Sequence, residues 1–129
     1  MRPDLTDLLP STKSDTDKAK AVVSLGFPAV EPALPSLMEW MQDINWPVAQ
    51  VLQPFLAHIG APLEPHIRVV LQSDDEIWKF WVLQQIVAKS EDLVQLFQPE
   101  LRRLANQATP KEQAEELDVL AKTILECAQ

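Results

Sequence analysis

Apolar residues recur at three- and four-residue intervals along most of this chain, which is the spacing of amphipathic α-helices. Helix-start and helix-stop signals divide the pattern into seven segments. These span residues 15–25, 35–42, 46–59, 65–72, 76–89 and 91–106, with a last helix that opens at Pro110. The sequence holds 2 glycines and 11 prolines, so β-hairpin turns are not expected. The pattern therefore predicts an all-α protein of about six to seven helices, with the sixth bent or interrupted at Pro99.

The segment 76–89, EIWKFWVLQQIVAK, is apolar around most of its circumference. This favours a central helix that is covered from several sides. Trp40 and Trp81 fall on the predicted inner stripes of their helices, so both are expected to pack in the core. Trp78 lies one step off that stripe and Trp46 lies in a turn. For these two side chains, core packing and partial exposure are both open.

Several helix starts carry capping signals. Ser73 and Glu76 have the spacing of a capping box, in which each side chain accepts a hydrogen bond from the other residue's backbone N–H. Thr109 and Glu112 repeat this spacing before the last helix, which has proline at its first position. Asn45 is expected to cap the helix 46–59.

A proline-led pattern occurs three times, at Pro35, Pro65 and Pro99, so its starts lie 30 and 34 residues apart. Each copy precedes a short polar turn and a second amphipathic helix. A recurring helix–turn–helix of this length is typical of stacked helical hairpins, in which each unit buries a face against the next. The prediction is a short superhelix of such hairpins that forms a single domain over residues 1–129. Residues 1–13 precede the first helix and are expected to be flexible.

The first unit, LPSLMEWMQDINWPVAQVLQPFLAHIG, resembles a HEAT repeat, whose helices read LxxLLxxLxD and VxxxAxxxLxxIG. The matching residues are Leu37, Trp40, Asp43, Val48, Leu52, Leu56, Ile59 and Gly60. Ala49 stands where HEAT repeats usually carry an arginine. The chain also resembles a family of small bacterial proteins, a domain of unknown function with a DxNWPVA core and a DDxxWKxW-like segment, matched here by residues 43–49 and 74–81. This second resemblance covers most of the chain after about Leu8 and implies a HEAT-like fold without a known activity.

The 19 acidic and 11 basic residues give a net charge of −8. Nucleic-acid binding needs clustered Lys and Arg, and Arg102–Arg103 is the only adjacent basic pair, so no nucleic-acid partner is expected. No run of about 18 apolar residues predicts a membrane span. The N-terminal stretch MRPDLTDLLP carries aspartates where a signal peptide has a basic flank, so a cytoplasmic location is expected. An acidic surface attracts basic proteins, although negative charge that only maintains solubility is the simpler interpretation.

Five residues are candidates for partner binding: Asp43, Trp46, Asp74, Asp75 and Trp78. Asp43 and the acidic run that begins at Asp74 occupy equivalent turns of consecutive units, so stacking places them along one edge, about 10 Å apart. Helix capping is the simpler role for these carboxylates, and an acidic rim for a basic partner is the alternative. Carboxylates at that separation cannot share one metal ion, so no metal site is expected. Exposed tryptophan beside them would anchor a protein or stack on a planar or cationic ligand.

No catalytic constellation is evident, since the sequence lacks GxSxG, HExxH and a phosphate-cradling glycine loop. His58, His66 and the single cysteine, Cys127, have no partner at a recognisable spacing. The main hypothesis is a non-catalytic protein-binding module without a cofactor, in a sharper form an immunity-type inhibitor whose acidic face blocks a basic protein. The alternative is a small-molecule-binding or lyase-like protein that uses the concave face. A cleft of several hundred Å³ lined by Trp and Asp would favour that alternative.

Overall fold

The computed structural model describes residues 9–127, and every regular element in that range is helical. The α-helices are α1 (Thr16–Leu25), α2 (Leu34–Glu39), α3 (Pro47–Ile59), α4 (Glu64–Leu71), α5 (Glu76–Gln85), α6 (Glu91–Leu96), α7 (Gln98–Gln107), α8 (Pro110–Ala114) and α9 (Leu117–Cys127). Short 3₁₀ turns occur at Glu31–Ala33, Trp40–Gln42, Ala61–Leu63 and Val87–Lys89. The predicted all-α class is confirmed.

The prediction of six to seven helices is wrong, because residues 9–127 contain nine α-helices. One extra helix arises at Phe97, where α6 ends and α7 begins, so the predicted interruption beside Pro99 is real. The other arises at Glu116, whose φ of 59° is left-handed and turns the chain between α8 and α9. Left-handed backbone is uncommon outside glycine, so no sequence signal marked that break.

The segment 76–89 also ends earlier than predicted. The α-helix α5 stops at Gln85, and Ile86 leads into the 3₁₀ turn Val87–Lys89. The side-chain amide of Gln53 in α3 donates a hydrogen bond of 2.8 Å to the Gln85 carbonyl. The last carbonyls of a helix have no intrahelical partner, so this contact satisfies one end of α5 from a distant helix.

The core is formed by residues from every α-helix except α8 and by residues from the turns between the helices. Its largest fully buried side chains are Phe97, Leu34, Leu37, Met38, Met41, Leu52, Leu56, Leu63, Ile67, Leu83, Ile86 and Leu93. Helix α5 contacts the turn Trp40–Gln42, α4, α9 and the turn Val87–Lys89, so it is covered from several sides. Further packing joins α1 to α3, α2 to α4, and α7 to α9.

No helix within residues 9–127 is long and apolar enough to cross a bilayer. Of the segment 1–13, for which flexibility is predicted, residues 1–8 lie outside the described part of the chain. Leu9 packs against the core, and the Lys13 carbonyl accepts a hydrogen bond of 3.0 Å from the Val48 N–H at the start of α3. The described end of this segment is therefore attached to α3.

Candidate functional site: an acidic groove at the start of α5

An open groove of about 650 Å³ lies at the N-terminal turn of α5, with α8 on its other side. Its lining residues are Gln42, Ser73, Asp74, Asp75, Glu76, Ile77, Trp78, Lys111, Ala114 and Glu115. We call this surface the acidic groove. Three of the five predicted candidates, Asp74, Asp75 and Trp78, are brought together here.

The loop before α5 gives two of its polar side chains structural roles. Asp75 is the N-cap residue, and its carboxylate accepts a hydrogen bond of 3.0 Å from the Trp78 N–H. The Ser73 hydroxyl donates to the Val70 carbonyl at 2.6 Å instead, so the predicted Ser73–Glu76 capping box is wrong. Asp74 has neither a hydrogen bond nor an ion pair with any of residues 9–127. Capping therefore explains Asp75 but leaves Asp74 as an exposed carboxylate on the groove.

Glu76 does not add an uncompensated charge to the groove. Its carboxylate forms an ion pair of 3.1 Å with the Lys79 ammonium. Lys79 lies on the buried face of α5, where it is 7% exposed. Burying an ammonium is costly without a partner, so Glu76 is held close to it. The free negative charge on this side of the groove therefore comes from the aspartates.

Trp78 and Ile77 form the apolar part of the acidic groove. The Trp78 ring is half-buried against the core, and its indole N–H donates a hydrogen bond of 2.9 Å to the Met38 carbonyl in α2. Ile77 is 52% exposed. The groove thus combines a fixed indole with an accessible aliphatic side chain, a combination typical of protein-binding surfaces.

The opposite side of the groove is positioned by α8. Thr109 and Glu112 form the predicted capping box, with hydrogen bonds of 3.2 Å and 2.8 Å between each side chain and the other residue's N–H. Glu112 also accepts two hydrogen bonds from the Arg103 guanidinium in α7, at 3.1 Å and 2.8 Å. These contacts fix the short helix, so that Lys111 and Glu115 stand on the groove.

The Arg103–Glu112 pair carries the clearest electrostatic perturbation within the described chain. The hydrogen bonds from Arg103 lower the pKa of Glu112 from 4.5 to about 2, against the opposing effect of burial. The same contact raises the pKa of Arg103. Because Glu112 is 4% exposed and Arg103 reaches it from the surface, the pair stabilises the structure and does not face the groove.

Asp43 and Trp46, the other two candidates, do not line the acidic groove. The Asp43 carboxylate accepts a hydrogen bond of 2.9 Å from the Asn45 N–H, and Trp46 takes the N-cap position of α3. The prediction that Asn45 caps this helix is therefore wrong. The Trp46 ring packs edge-on against Trp40, with 6.0 Å between ring centroids and 76° between planes. Both candidates are half-buried and shape the turn between the first two helices of the predicted repeat.

The family assignment rests on one match. The family model of the domain of unknown function DUF5071 covers residues 8–125. The chain belongs to this family. No curated protein matches the sequence. The predicted membership in a family of unknown function is therefore confirmed, and the acidic groove lies entirely within the region that the family model matches.

A second groove, of about 700 Å³, lies at the C-terminal end of α5 and was not expected from the sequence. Its lining residues are Gln84, Ala88, Lys89, Glu91, Val94, Gln95, Gln98, Leu120, Thr123, Ile124 and Cys127. We call it the glutamine groove, after the three amide side chains of Gln84, Gln95 and Gln98. The lining residues come from five helical elements, and no local motif links them.

Trp81 is placed differently from the prediction. It was expected on the inner stripe, but the buried face of α5 is formed by Lys79, Val82 and Leu83. Trp81 is partly exposed and packs edge-on against Phe80, with ring centroids 5.3 Å apart. No local sequence signal places Trp81 on the outside, because a lysine such as Lys79 is expected to face solvent, and only its ion pair with Glu76 allows it to be buried.

Proposed function

We propose that this protein is a non-catalytic protein-binding module whose docking surface is the acidic groove. The observation that carries the proposal is the juxtaposition of exposed Ile77 and half-buried Trp78 with carboxylates that have no basic partner among residues 9–127. Exposed aliphatic and aromatic side chains supply binding energy, while flanking charges select the partner. Among residues 9–127, no three His, Cys, Asp or Glu side chains are grouped so as to hold a metal ion.

The charge of the surface supports a basic partner. Asp74, Asp75 and Glu115 line the groove beside one cation, Lys111, which forms no ion pair within the described part of the chain, and the whole chain carries a net charge of −8. Such a surface repels phosphate groups and accelerates encounters with basic proteins. In its sharper form, the proposal is an immunity-type inhibitor that covers the active surface of a basic protein.

The proposal includes a HEAT-like arrangement of helical hairpins. Its support is the recurrence of packed pairs along the chain, with α1 on α3, α2 on α4, α4 on α5 and α7 on α9. A stack of this kind exposes the turns of successive units along one edge. The loop before α5 is one such turn, and it carries Asp74 and Asp75.

The test compares two aspartate substitutions of exposed aliphatic residues. Ile77→Asp changes the acidic groove, whereas Val69→Asp is the control, because Val69 on α4 is 63% exposed and lines neither groove. Immobilised wild type and Val69→Asp should retain the same high-pI protein from an extract of expressing cells, and Ile77→Asp should retain roughly fivefold less. The retained protein is then purified and titrated calorimetrically against all three. Equal retention by the three baits, or no stoichiometric binding of the purified protein, would contradict the proposal.

A second candidate function is a small-molecule-binding or lyase-like protein that uses the same groove. It is favoured by the groove volume of about 650 Å³ and by its lining of Trp78, Asp74 and Asp75. Pockets of about 300–1,000 Å³ suit small ligands. A metabolite panel that raises the melting temperature of the wild type but not of Asp74→Asn would support this function. The protein-binding proposal instead expects no such shift.

A further inference from the structure

The outer face of α5 carries side chains that are exposed or partly exposed. Opposite its buried face, α5 carries Ile77, Trp81 and Gln84, spaced by four and three residues and therefore on one side of the helix. Ile77 is exposed, and the Trp81 ring is partly exposed and lies outside the core cluster. An apolar stripe on the outer side of an otherwise packed helix is a surface that a further element can cover.

The two grooves lie at opposite ends of this stripe. Ile77 belongs to the acidic groove, Gln84 belongs to the glutamine groove, and Trp81 lies between them in the sequence of α5. A helix of 10 residues is about 15 Å long, so the surface from one groove to the other matches roughly three turns of a bound helix.

The charge along this surface is uneven. The acidic groove carries an excess of carboxylates, whereas the glutamine groove is lined by one cation, Lys89, one carboxylate, Glu91, and several neutral amides. A complementary segment therefore needs basic residues at one end and uncharged polar residues at the other. Apolar side chains between them would face Ile77 and Trp81.

We infer that the partner segment is an amphipathic α-helix that lies along the outer face of α5, with its basic end over the acidic groove. This inference rests on the proposed function and specifies the chemistry of the partner. Residues 9–127 contain no strand edge to which an extended peptide could add, so recognition falls to side-chain anchors, as in helix-in-groove binding. A second copy of this chain is a poor occupant, because two molecules of net charge −8 repel each other.

The experiment uses two displayed peptide libraries, each about 14 residues long to cover the surface. Both libraries keep apolar residues at helical i, i+3, i+4 and i+7 positions. The basic library carries Lys and Arg at one end of the peptide, and the acidic library carries Asp and Glu there. Wild-type protein should enrich the basic library at least roughly tenfold over the acidic one. The enriched peptides should bind Val69→Asp unchanged and Ile77→Asp at least roughly tenfold more weakly. Amide chemical-shift changes should concentrate on residues 77–84 and 111–115.

The outcomes separate this inference from the proposed function. Equal enrichment of both libraries, or peptides that bind Ile77→Asp as tightly as wild type, would overturn the inference. Spermidine that gives the same shift changes as the peptides, at comparable affinity, would overturn it in favour of a small cationic ligand. If no peptide is enriched while a purified partner still binds in an Ile77-dependent way, the inference of a helical partner segment is wrong and the proposed protein-binding function stands. If neither the peptides nor a purified partner binds, the helix inference and the proposed protein-binding function are both wrong.

Discussion

Replacing Glu112 with glutamine tests whether the Arg103–Glu112 pair holds α8 in place. The substitution keeps the shape of the side chain and removes the charge that accepts two hydrogen bonds from Arg103. A pKa lowered from 4.5 to about 2 corresponds to about 3 kcal/mol of free energy of unfolding at pH 7. Because the Arg103 side chain is 39% exposed, screening reduces this value, and we expect a loss of about 2 kcal/mol.

The pH dependence of this loss has a definite sign. A carboxylate with a depressed pKa stabilises the folded state above its unfolded pKa, here 4.5, and the stabilisation disappears as pH falls toward about 2. The glutamine variant has no such titration. The difference in free energy of unfolding between wild type and Glu112→Gln should therefore fall to less than about half of its pH 7 value near pH 3.

Urea unfolding followed by circular dichroism, at pH 7 and at pH 3, measures both quantities. The matched control is Glu115→Gln, which removes the same charge three residues away, from an exposed carboxylate that forms no ion pair among residues 9–127. If the control destabilises the protein as much as Glu112→Gln, the effect reflects net charge rather than the pair. If the difference in free energy of unfolding between wild type and Glu112→Gln is the same at pH 7 and at pH 3, the electrostatic explanation is refuted.

Three further substitutions test the tertiary assignments by urea unfolding or thermal melting. Trp78→Phe removes the indole N–H that bonds to the Met38 carbonyl and should cost about 1–2 kcal/mol. Trp81→Ala should cost less than about 2 kcal/mol because its ring lies outside the core, and a loss of about 3–5 kcal/mol would place that ring in the interior instead. Glu116→Gly should raise the stability by up to about 1 kcal/mol, since glycine adopts a φ of 59° without strain; a loss would mean that the Glu116 side chain stabilises the turn.

The helices could be predicted from the sequence wherever their signals are local. Amphipathic periodicity located the helical segments but not the break at Glu116, and the Thr109–Glu112 capping box was predictable because both partners lie within one turn. The start of α5 was harder, because Ser73, Asp74 and Asp75 are three consecutive residues able to cap a helix. Which one does so depends on where the backbone first becomes helical.

The groove could be predicted only in part. Asp74, Asp75 and Trp78 were candidates because acidic residues and tryptophan adjoin a turn, but the opposite side of the groove, on α8, is about 35 residues away in sequence. The orientation of Trp78 depends on the Met38 carbonyl, 40 residues earlier. Periodicity within α5 cannot distinguish the outer Trp81 from a residue of the inner face when a lysine is buried on that inner face.

The hydrogen bonds from Trp78 to Met38 and from Gln53 to Gln85 bear on whether the chain can be divided. Each satisfies a carbonyl near the end of one helix with a donor from a helix 32 or 40 residues away in sequence. A fragment that ends before α5 would leave the Met38 carbonyl without its indole partner, and α5 alone would fray at Gln85. We therefore expect excised helix pairs to be largely unfolded in isolation, so that the protein folds as one cooperative unit and segments of it cannot be shuffled like independent modules.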